Sequence, residues 1–400
     1  MRAAGVLWIA IAACGRIGFD DRASGLGAAT SDASGGSAGR SGSGSGFATC
    51  TAGAGSGSAI DAMYTLGVAS TGPRGLASAD FNGDGIADLA VVDGDRATVD
   101  LLIGSADGTF SESSTLDVGA NSDPREIVAI DLDGDGKIDL VTGDTGSNRL
   151  SVFRGKGDAE FAAPTHVATD VSPAAIVVAD FDGDGQPDVA VAAFSSNLID
   201  TFKNTGGTLA LDATYPTDAE PTALALGDFD GDGRLDLSVA CESSRTIDVL
   251  YALAGGGFGS AATVATDTSP PTGLAVADLD GDGKSDIVVA DGAASILLAS
   301  TAGFAPPVAV DEPCGGSLAI AVGDFDCDGI ADLAVPYGAA NGVCIVPGLG
   351  GAQFGTSRMF MTGEYPEAVI VGDFNRDGRP DIATADYFGV DATVVLGPMR

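Results

Sequence analysis

Asp180-Phe181-Asp182-Gly183-Asp184-Gly185-Gln186-Pro187-Asp188 places carboxylates at positions 1, 3, 5 and 9 of a nine-residue loop. Left alone they repel: at about 4–5 Å and an effective dielectric near 20, each like-charge pair costs roughly 3–4 kcal/mol. A hard cation relieves that repulsion. Oxygens at alternate positions, a main-chain carbonyl near position 7 and a turn-forming glycine at position 6 are how a short loop wraps Ca²⁺. Glycine suits position 6 because it tolerates backbone angles that other residues avoid. The nonapeptide recurs, starting at Asp80, Asp131, Asp180, Asp228, Asp278, Asp324 and Asp373 (loops 1 to 7 below), at intervals of 51, 49, 48, 50, 46 and 49 residues. Periodicity on this scale decides the fold before any single residue does.

The segments between the loops must position them. Each loop is preceded by a short run of small and apolar residues, such as Ala174-Ala175-Ile176-Val177-Val178-Ala179, and followed by another, such as Val189-Ala190-Val191-Ala192. These runs are too short for independent helices and rich in Val and Ile, so they read as buried strands. A third segment alternates with period two. In Ala97-Thr98-Val99-Asp100-Leu101-Leu102-Ile103 the odd positions form an apolar face, and Ile247, Val249 and Tyr251 do the same around Thr246, Asp248 and Leu250. A polar, outer strand is then expected to begin at Phe110, Phe161, Phe258, Phe304 or Phe354. Four strands in about 49 residues make one propeller blade. The segment Met63-Tyr64-Thr65-Leu66-Gly67-Val68-Ala69 matches a fourth strand, while the last repeat stops after its third, Ala392-Thr393-Val394-Val395-Leu396. The expected fold is therefore all-β: a seven-bladed β-propeller of four-stranded blades over residues 60–400, closed by the N-terminal strand in the last blade.

Fifty-six acidic against nineteen basic residues give a formal charge of −37. Five loops hold four carboxylates and two hold three, 26 in all. Seven divalent ions would still leave about −23, a surface that repels nucleic acid and anionic lipid. Ahead of the repeats, Arg2 and the apolar run Ala3 to Ala13 read as a signal peptide over residues 1–13, too short to span a bilayer. Its end, Ile11-Ala12-Ala13-Cys14-Gly15, resembles the lipobox of bacterial lipoproteins, which implies cleavage before Cys14 and lipidation of that residue; an ordinary secretory signal is the other reading. Either implies export, to the bacterial cell envelope as an outer-membrane lipoprotein or to the cell surface. Residues 14–59, dominated by Gly, Ser and Ala from Ala23 onward, behave as a flexible tether. Of the cysteines, Cys50, Cys241, Cys314, Cys327 and Cys344 remain in an oxidising compartment. Three share one repeat, so a local disulfide is expected there, Cys314 with Cys344 first among the pairings.

Other calcium and propeller architectures fit less well. An EF-hand needs Glu at loop position 12, where this chain has Val91, Thr142, Val191, Val239, Val289, Val335 and Thr384. WD and kelch signatures rely on tryptophan, and the only one here is Trp8. The loops at a period near 49, with turns such as Gly257-Phe258-Gly259 and Phe354-Gly355, resemble FG-GAP (VCBS-type) repeats, which build the seven-bladed propeller of integrin α subunits and of many bacterial surface proteins. The resemblance implies that each loop joins the first and second strands of a blade, with Ca²⁺ on the face carrying the loops. It implies up to seven Ca²⁺ sites, the position-7 residue contributing its carbonyl: Asp80, Asn82, Asp84, Ile86 and Asp88; Asp131, Asp133, Asp135, Lys137 and Asp139; Asp180, Asp182, Asp184, Gln186 and Asp188; Asp228, Asp230, Asp232, Arg234 and Asp236; Asp278, Asp280, Asp282, Lys284 and Asp286; Asp324, Asp326, Asp328, Ile330 and Asp332; Asp373, Asn375, Asp377, Arg379 and Asp381. Loops 6 and 7 depart from the pattern, with Cys327 and Arg376 in place of the position-4 glycine.

Catalysis has little to stand on. The one histidine, His166, falls in an outer-strand segment, and there is no G-x-S-x-G elbow, Walker loop or H-E-x-x-H. The expected role is a cell-surface binding or adhesion module for a protein or glycan; a Ca²⁺-dependent polysaccharide lyase or glycosidase on a propeller is the alternative. Tyr337, Tyr365 and Tyr387, on loops expected at the face opposite the calcium, are the candidate ligand contacts.

Overall fold

The computed structural model describes residues 62–66, 72–266, 269–292, 294–310, 314, 318–389 and 391–397. The leader, Cys14, the tether and Cys50 lie outside the described residues. The chain forms seven four-stranded antiparallel sheets arranged as the blades of a propeller. In blade 1 the strands are Pro73–Ala79, Asp88–Asp93, Thr98–Gly104 and Phe110–Asp117, paired in chain order. Blades 2 to 6 repeat this, their first strands starting at Pro124, Pro173, Pro221, Gly273 and Ala321. Blade 7 takes Pro366–Gly372, Asp381–Asp386 and Asp391–Leu396 from the C-terminal end, and its fourth strand is Ala62–Leu66, in register from Ala62 opposite Leu396 to Leu66 opposite Ala392. The ring closes as the sequence predicts.

Core residues sit between blades. Leu101 and Val99 of blade 1 meet Ile127 and Leu140 of blade 2, and Val177 and Val191 lie in clusters shared with the neighbouring sheets. Each fully buried Val or Leu is worth about 1.5–3 kcal/mol, so seven such interfaces account for the cohesion of the ring. Strands converge toward the axis, which explains the small residues of the first strands. At Gly75 a Cβ would stand 2.6 Å from the carbonyl oxygen of Arg125 in the next blade, too close for any side chain.

One expectation needs correction. The phenylalanines after the third strand do not generally start the fourth. Phe110 does, but Phe161 and Phe354 belong to two-residue strands of small separate hairpins, and the fourth strands of blades 2, 4, 5 and 6 begin later, at Thr165, Ala262, Val308 and Arg358. Those rings are used elsewhere: Phe161 packs edge-on against Phe81, Phe258 against Phe181, Phe304 against Phe229 and Phe110 against Phe374, at centroid separations of 5.3–6.0 Å. Each plugs the position-2 residue of the acidic loop in the preceding blade. Asp100 and Asp248, the polar residues that alternate with the apolar face of the third strand, are both buried. Period-two alternation suggests one wet face, but an interior blade is covered on both.

Candidate metal centre

The acidic loops join the first and second strands of every blade, on one face of the ring. Their internal geometry is set by the carboxylates themselves. In loop 3, Asp180 Oδ1 accepts hydrogen bonds from the backbone N–H of Gly183 (2.7 Å) and Asp184 (3.1 Å), and its Oδ2 from Gly185 (2.8 Å). Asp182 Oδ1 accepts from Asp184, and Asp184 Oδ1 from Gln186. The second oxygens of Asp182 and Asp184 turn to side chains: Lys203 Nζ reaches both, and Gln186 Nε2 donates to Asp184 Oδ2 at 3.5 Å. The same ladder recurs in the other loops.

Position 9 has a distinct task. In all seven loops its buried carboxylate accepts from the N–H of position 2 through Oδ2 and, through Oδ1, from an N–H at the end of the third strand: Gly104, Gly155, Asn204, Ala252, Ala299, Gly348 and Gly397, at 2.7–2.9 Å. It thus ties loop to sheet. The approach is tight enough to demand glycine at Gly155, where a Cβ would lie 2.1 Å from the Ile138 carbonyl oxygen. Burial, the largest influence, pushes these carboxyls up: to about 6 for Asp88 and Asp188, about 7 for Asp236, Asp286 and Asp332, and about 8 for Asp381. Neighbouring loop carboxylates add to the rise, and the backbone donors oppose it.

Loops 6 and 7 keep the common turn. Cys327 and Arg376 hold φ of 63° and 59°, the left-handed conformation of the position-4 glycines they replace, such as Gly183 at 79°. A non-glycine residue there costs roughly 1–2 kcal/mol. Cys314 and Cys344 form the expected disulfide, Cys327 is also disulfide-bonded, and Cys241 is free and buried.

The donor set fits a hard divalent ion. In each of loops 2 to 6, three carboxylates bring one oxygen apiece to within 4.8 Å of one another: Asp131, Asp133 and Asp135; Asp180, Asp182 and Asp188; Asp228, Asp230 and Asp236; Asp278, Asp280 and Asp282; Asp324, Asp326 and Asp332. In loop 3 a cation already stands there: Lys203 Nζ contacts Asp182 Oδ2 and lies 3.0 Å from Asp184 Oδ2. A position that attracts an ammonium between two carboxylates is one that a metal ion can take. Loops 1 and 7 carry Asn82 and Asn375 at position 3, each accepting from the N–H two residues on as its aspartate counterparts do.

At the opposite face the candidate tyrosines separate. Tyr365 and Tyr387 flank Phe388, with centroids 5.0 and 4.9 Å from its ring, and Phe388 is 59% exposed. Tyr337 instead packs on the core between blades 5 and 6. Arg74, which the sequence reading missed, lies 4.8 Å over the Tyr387 ring and 3.8 Å from Glu367. Also missed is a second set of buried acids. Asp200, Asp248 and Asp386 accept from the N–H of Asp170, Asp218 and Gly363 in the chain that crosses between blades. An Asp inside an otherwise apolar strand was the available signal. His166 Nδ1 is 3.0 Å from Ser151 Oγ, which donates to Asp144. The hydroxyl bridges the two, whereas an activated nucleophile needs the imidazole in the middle.

The model for the FG-GAP-like repeat matches residues 80–142, 131–191 and 228–289. The chain carries FG-GAP-like repeats. No curated protein matches it in sequence. Among solved structures it is similar to BBS1N in complex with ARL6DN (TM-score 0.58, 14% identity, covering 85% of this chain and 97% of that one). It is also similar to virginiamycin B lyase from Staphylococcus aureus (0.56, 14%, 84% and 98%). A third is an Agrocybe aegerita lectin that recognises non-reducing terminal N-acetylglucosamine (0.53, 18%, 82% and 86%). At these identities the likeness is one of fold. The FG-GAP-like segments include loops 1 to 5, so the repeat's motif and the acidic ladder coincide.

Proposed function

We propose that this chain is an exported, calcium-stabilised propeller that serves as a binding or adhesion module for an extracellular protein or glycan. The convergence of three carboxylate oxygens in each of five loops supports calcium most directly. When bound, Ca²⁺ supplies positive charge that cancels the repulsion within each loop, and the oxygens at positions 1, 3, 5 and 9 are the protein groups that would hold it. Because position 9 also fastens the third strand, an ion there stiffens the whole blade. An ion that binds the folded chain alone adds about 2.7 kcal/mol per site at one hundred times its dissociation constant.

Ligand recognition belongs to the opposite face, at Tyr365, Tyr387 and Phe388 with Arg74 beneath them. Exposed aromatic rings beside a guanidinium offer stacking and hydrogen bonding to a sugar or a peptide. Glycan and protein arrays probed with and without Ca²⁺ test this reading. Retention should depend on Ca²⁺ and fall at least tenfold in Phe388→Ala, whose fold should be unaffected because the ring is exposed. Arrays with no retained ligand in either condition would count against the binding role.

A further inference from the structure

The residue just before each position-9 hydrogen-bond donor occupies one equivalent place in all seven blades, at the end of the third strand beside the loop. It is Ile103, Arg154, Lys203, Tyr251, Leu298, Pro347 and Leu396 in blades 1 to 7. Two of the seven are cationic, and both lie on their own loop. Lys203 Nζ bridges Asp182 and Asp184. Arg154 Nη1 contacts Asp139 Oδ2 and lies 3.8 Å from Asp133 Oδ2. Each therefore joins two carboxylates at positions that a metal ion would use. The four basic residues at loop position 7 behave differently: Lys137, Arg234 and Arg379 each pair with the position-5 carboxylate of their own loop, and Lys284 donates to the Asp230 carbonyl oxygen of loop 4.

The two internal cations are not held alike. Arg154 is 25% exposed, and Gly207 in the turn of the next blade lies over it: a Cβ there would be 2.5 Å from Arg154 Nη2 and 2.6 Å from Asp133 Cβ. Lys203 is 41% exposed on a flexible stem and can swing aside.

We infer that Arg154 and Lys203 are built-in counter-cations that compete with metal, making loops 2 and 3 the weak members of the calcium ring. This rests on the calcium reading above. The graded restraint orders the affinities: loop 2 is weakest, loop 3 next, loop 4 above them because Arg234 engages only the single carboxylate of Asp232, and loops 5 and 6 strongest, with Leu and Pro at the equivalent place and a full set of aspartates. The same two blades are the ones least dependent on calcium for their shape, because their carboxylates are already neutralised in part. A unit charge a few ångströms from the ion, partly screened by water, alters affinity on the order of tenfold.

The test uses the full chain with Ca²⁺ alone as the probe, in wild type, Lys203→Met and Arg154→Met. Crystals equilibrated at limiting and saturating Ca²⁺ report occupancy loop by loop through anomalous scattering, and titration calorimetry reports the affinities. At limiting Ca²⁺ the wild type should fill loops 4 to 6 before loops 3 and 2. Each variant should raise its own loop's affinity about tenfold and leave the other loops unchanged. It should also melt at a lower temperature than wild type in chelator while matching it in saturating Ca²⁺, a crossing that general misfolding would not produce. Loops 2 and 3 filling together with the others in wild type, or variants with unchanged affinities, would overturn the counter-cation assignment and leave calcium binding intact. Crystals at saturating Ca²⁺ with no ion in any loop would remove both.

Discussion

On the calcium reading proposed above, Asp236 has two tasks with opposite demands on its proton. As a clamp it accepts from Phe229 and Ala252 in a buried setting, and burial first, then Asp230 and Asp232, raise its pKa to about 7. As a metal ligand it must be ionised. Without metal, the folded chain holds this proton more tightly than the unfolded chain. Its stabilising contribution is thus complete below the unfolded value near 4 and is lost as pH rises through about 7. Asp286 and Asp332 behave likewise, and Asp381 does so up to about 8. Chelated protein should therefore melt at progressively lower temperature from pH 5 to pH 8, by scanning calorimetry. With saturating Ca²⁺ the slope should reverse, because protons then compete with the ion. Parallel slopes in the two conditions would contradict the dual role. Asp386 provides the control on the other face. It too is raised to about 7 by burial, but it accepts from Thr384, Thr393 and Gly363 and stands outside the loops. Asp386→Asn should cost about 1–2 kcal/mol, equally with and without Ca²⁺. The seven loops were legible residue by residue because the same residue types recur at the same spacing in every blade. The buried acids of the opposite face were not, since a lone Asp in a strand looks the same whether it meets water or a backbone N–H.

At the scale of the element, the hairpin turn after each third strand is the part most misread from sequence. A phenylalanine followed by glycine resembles the opening of a strand, yet Phe258 is a plug between blades 3 and 4, 5.3 Å from Phe181 and 5.6 Å from Tyr215, whose hydroxyl accepts from its N–H. Periodicity describes how one sheet is wetted; it carries no information on what the next sheet presses against it. Phe258→Ala should cost about 3–5 kcal/mol by denaturant titration, because rigid sheets on either side cannot close over the hole. The disulfide acts at the same scale. Cys314 and Cys344 close a loop of 30 residues around blade 6, and Cys344→Ala in a chain that otherwise folds normally should lose roughly 3–4 kcal/mol. An equal melting temperature with and without reductant would show that the rest of blade 6 already fixes those residues.

For the molecule as a whole, closure decides stability. Blade 7 borrows Ala62–Leu66, so its edge is sealed by residues more than three hundred positions away. That pairing was readable from a surplus strand at one end and a missing one at the other. Blade number was readable from the loop count. What the sequence did not disclose was which side chains fill the seams, because that depends on blades brought together only by the ring. Deleting residues up to Leu66 should expose Asp391–Leu396 as an open edge, lowering the melting temperature and promoting association, read by light scattering. On the calcium reading, the net charge of −37 adds repulsion that neutralising the loops would relieve. The most direct check is an anomalous difference map of crystals grown in saturating Ca²⁺. Peaks are expected between the oxygens of positions 1, 3, 5 and 9, at full strength in loops 4, 5 and 6. A map with ordered aspartates and no peak in any of those three loops would contradict calcium as the ion that holds this propeller together.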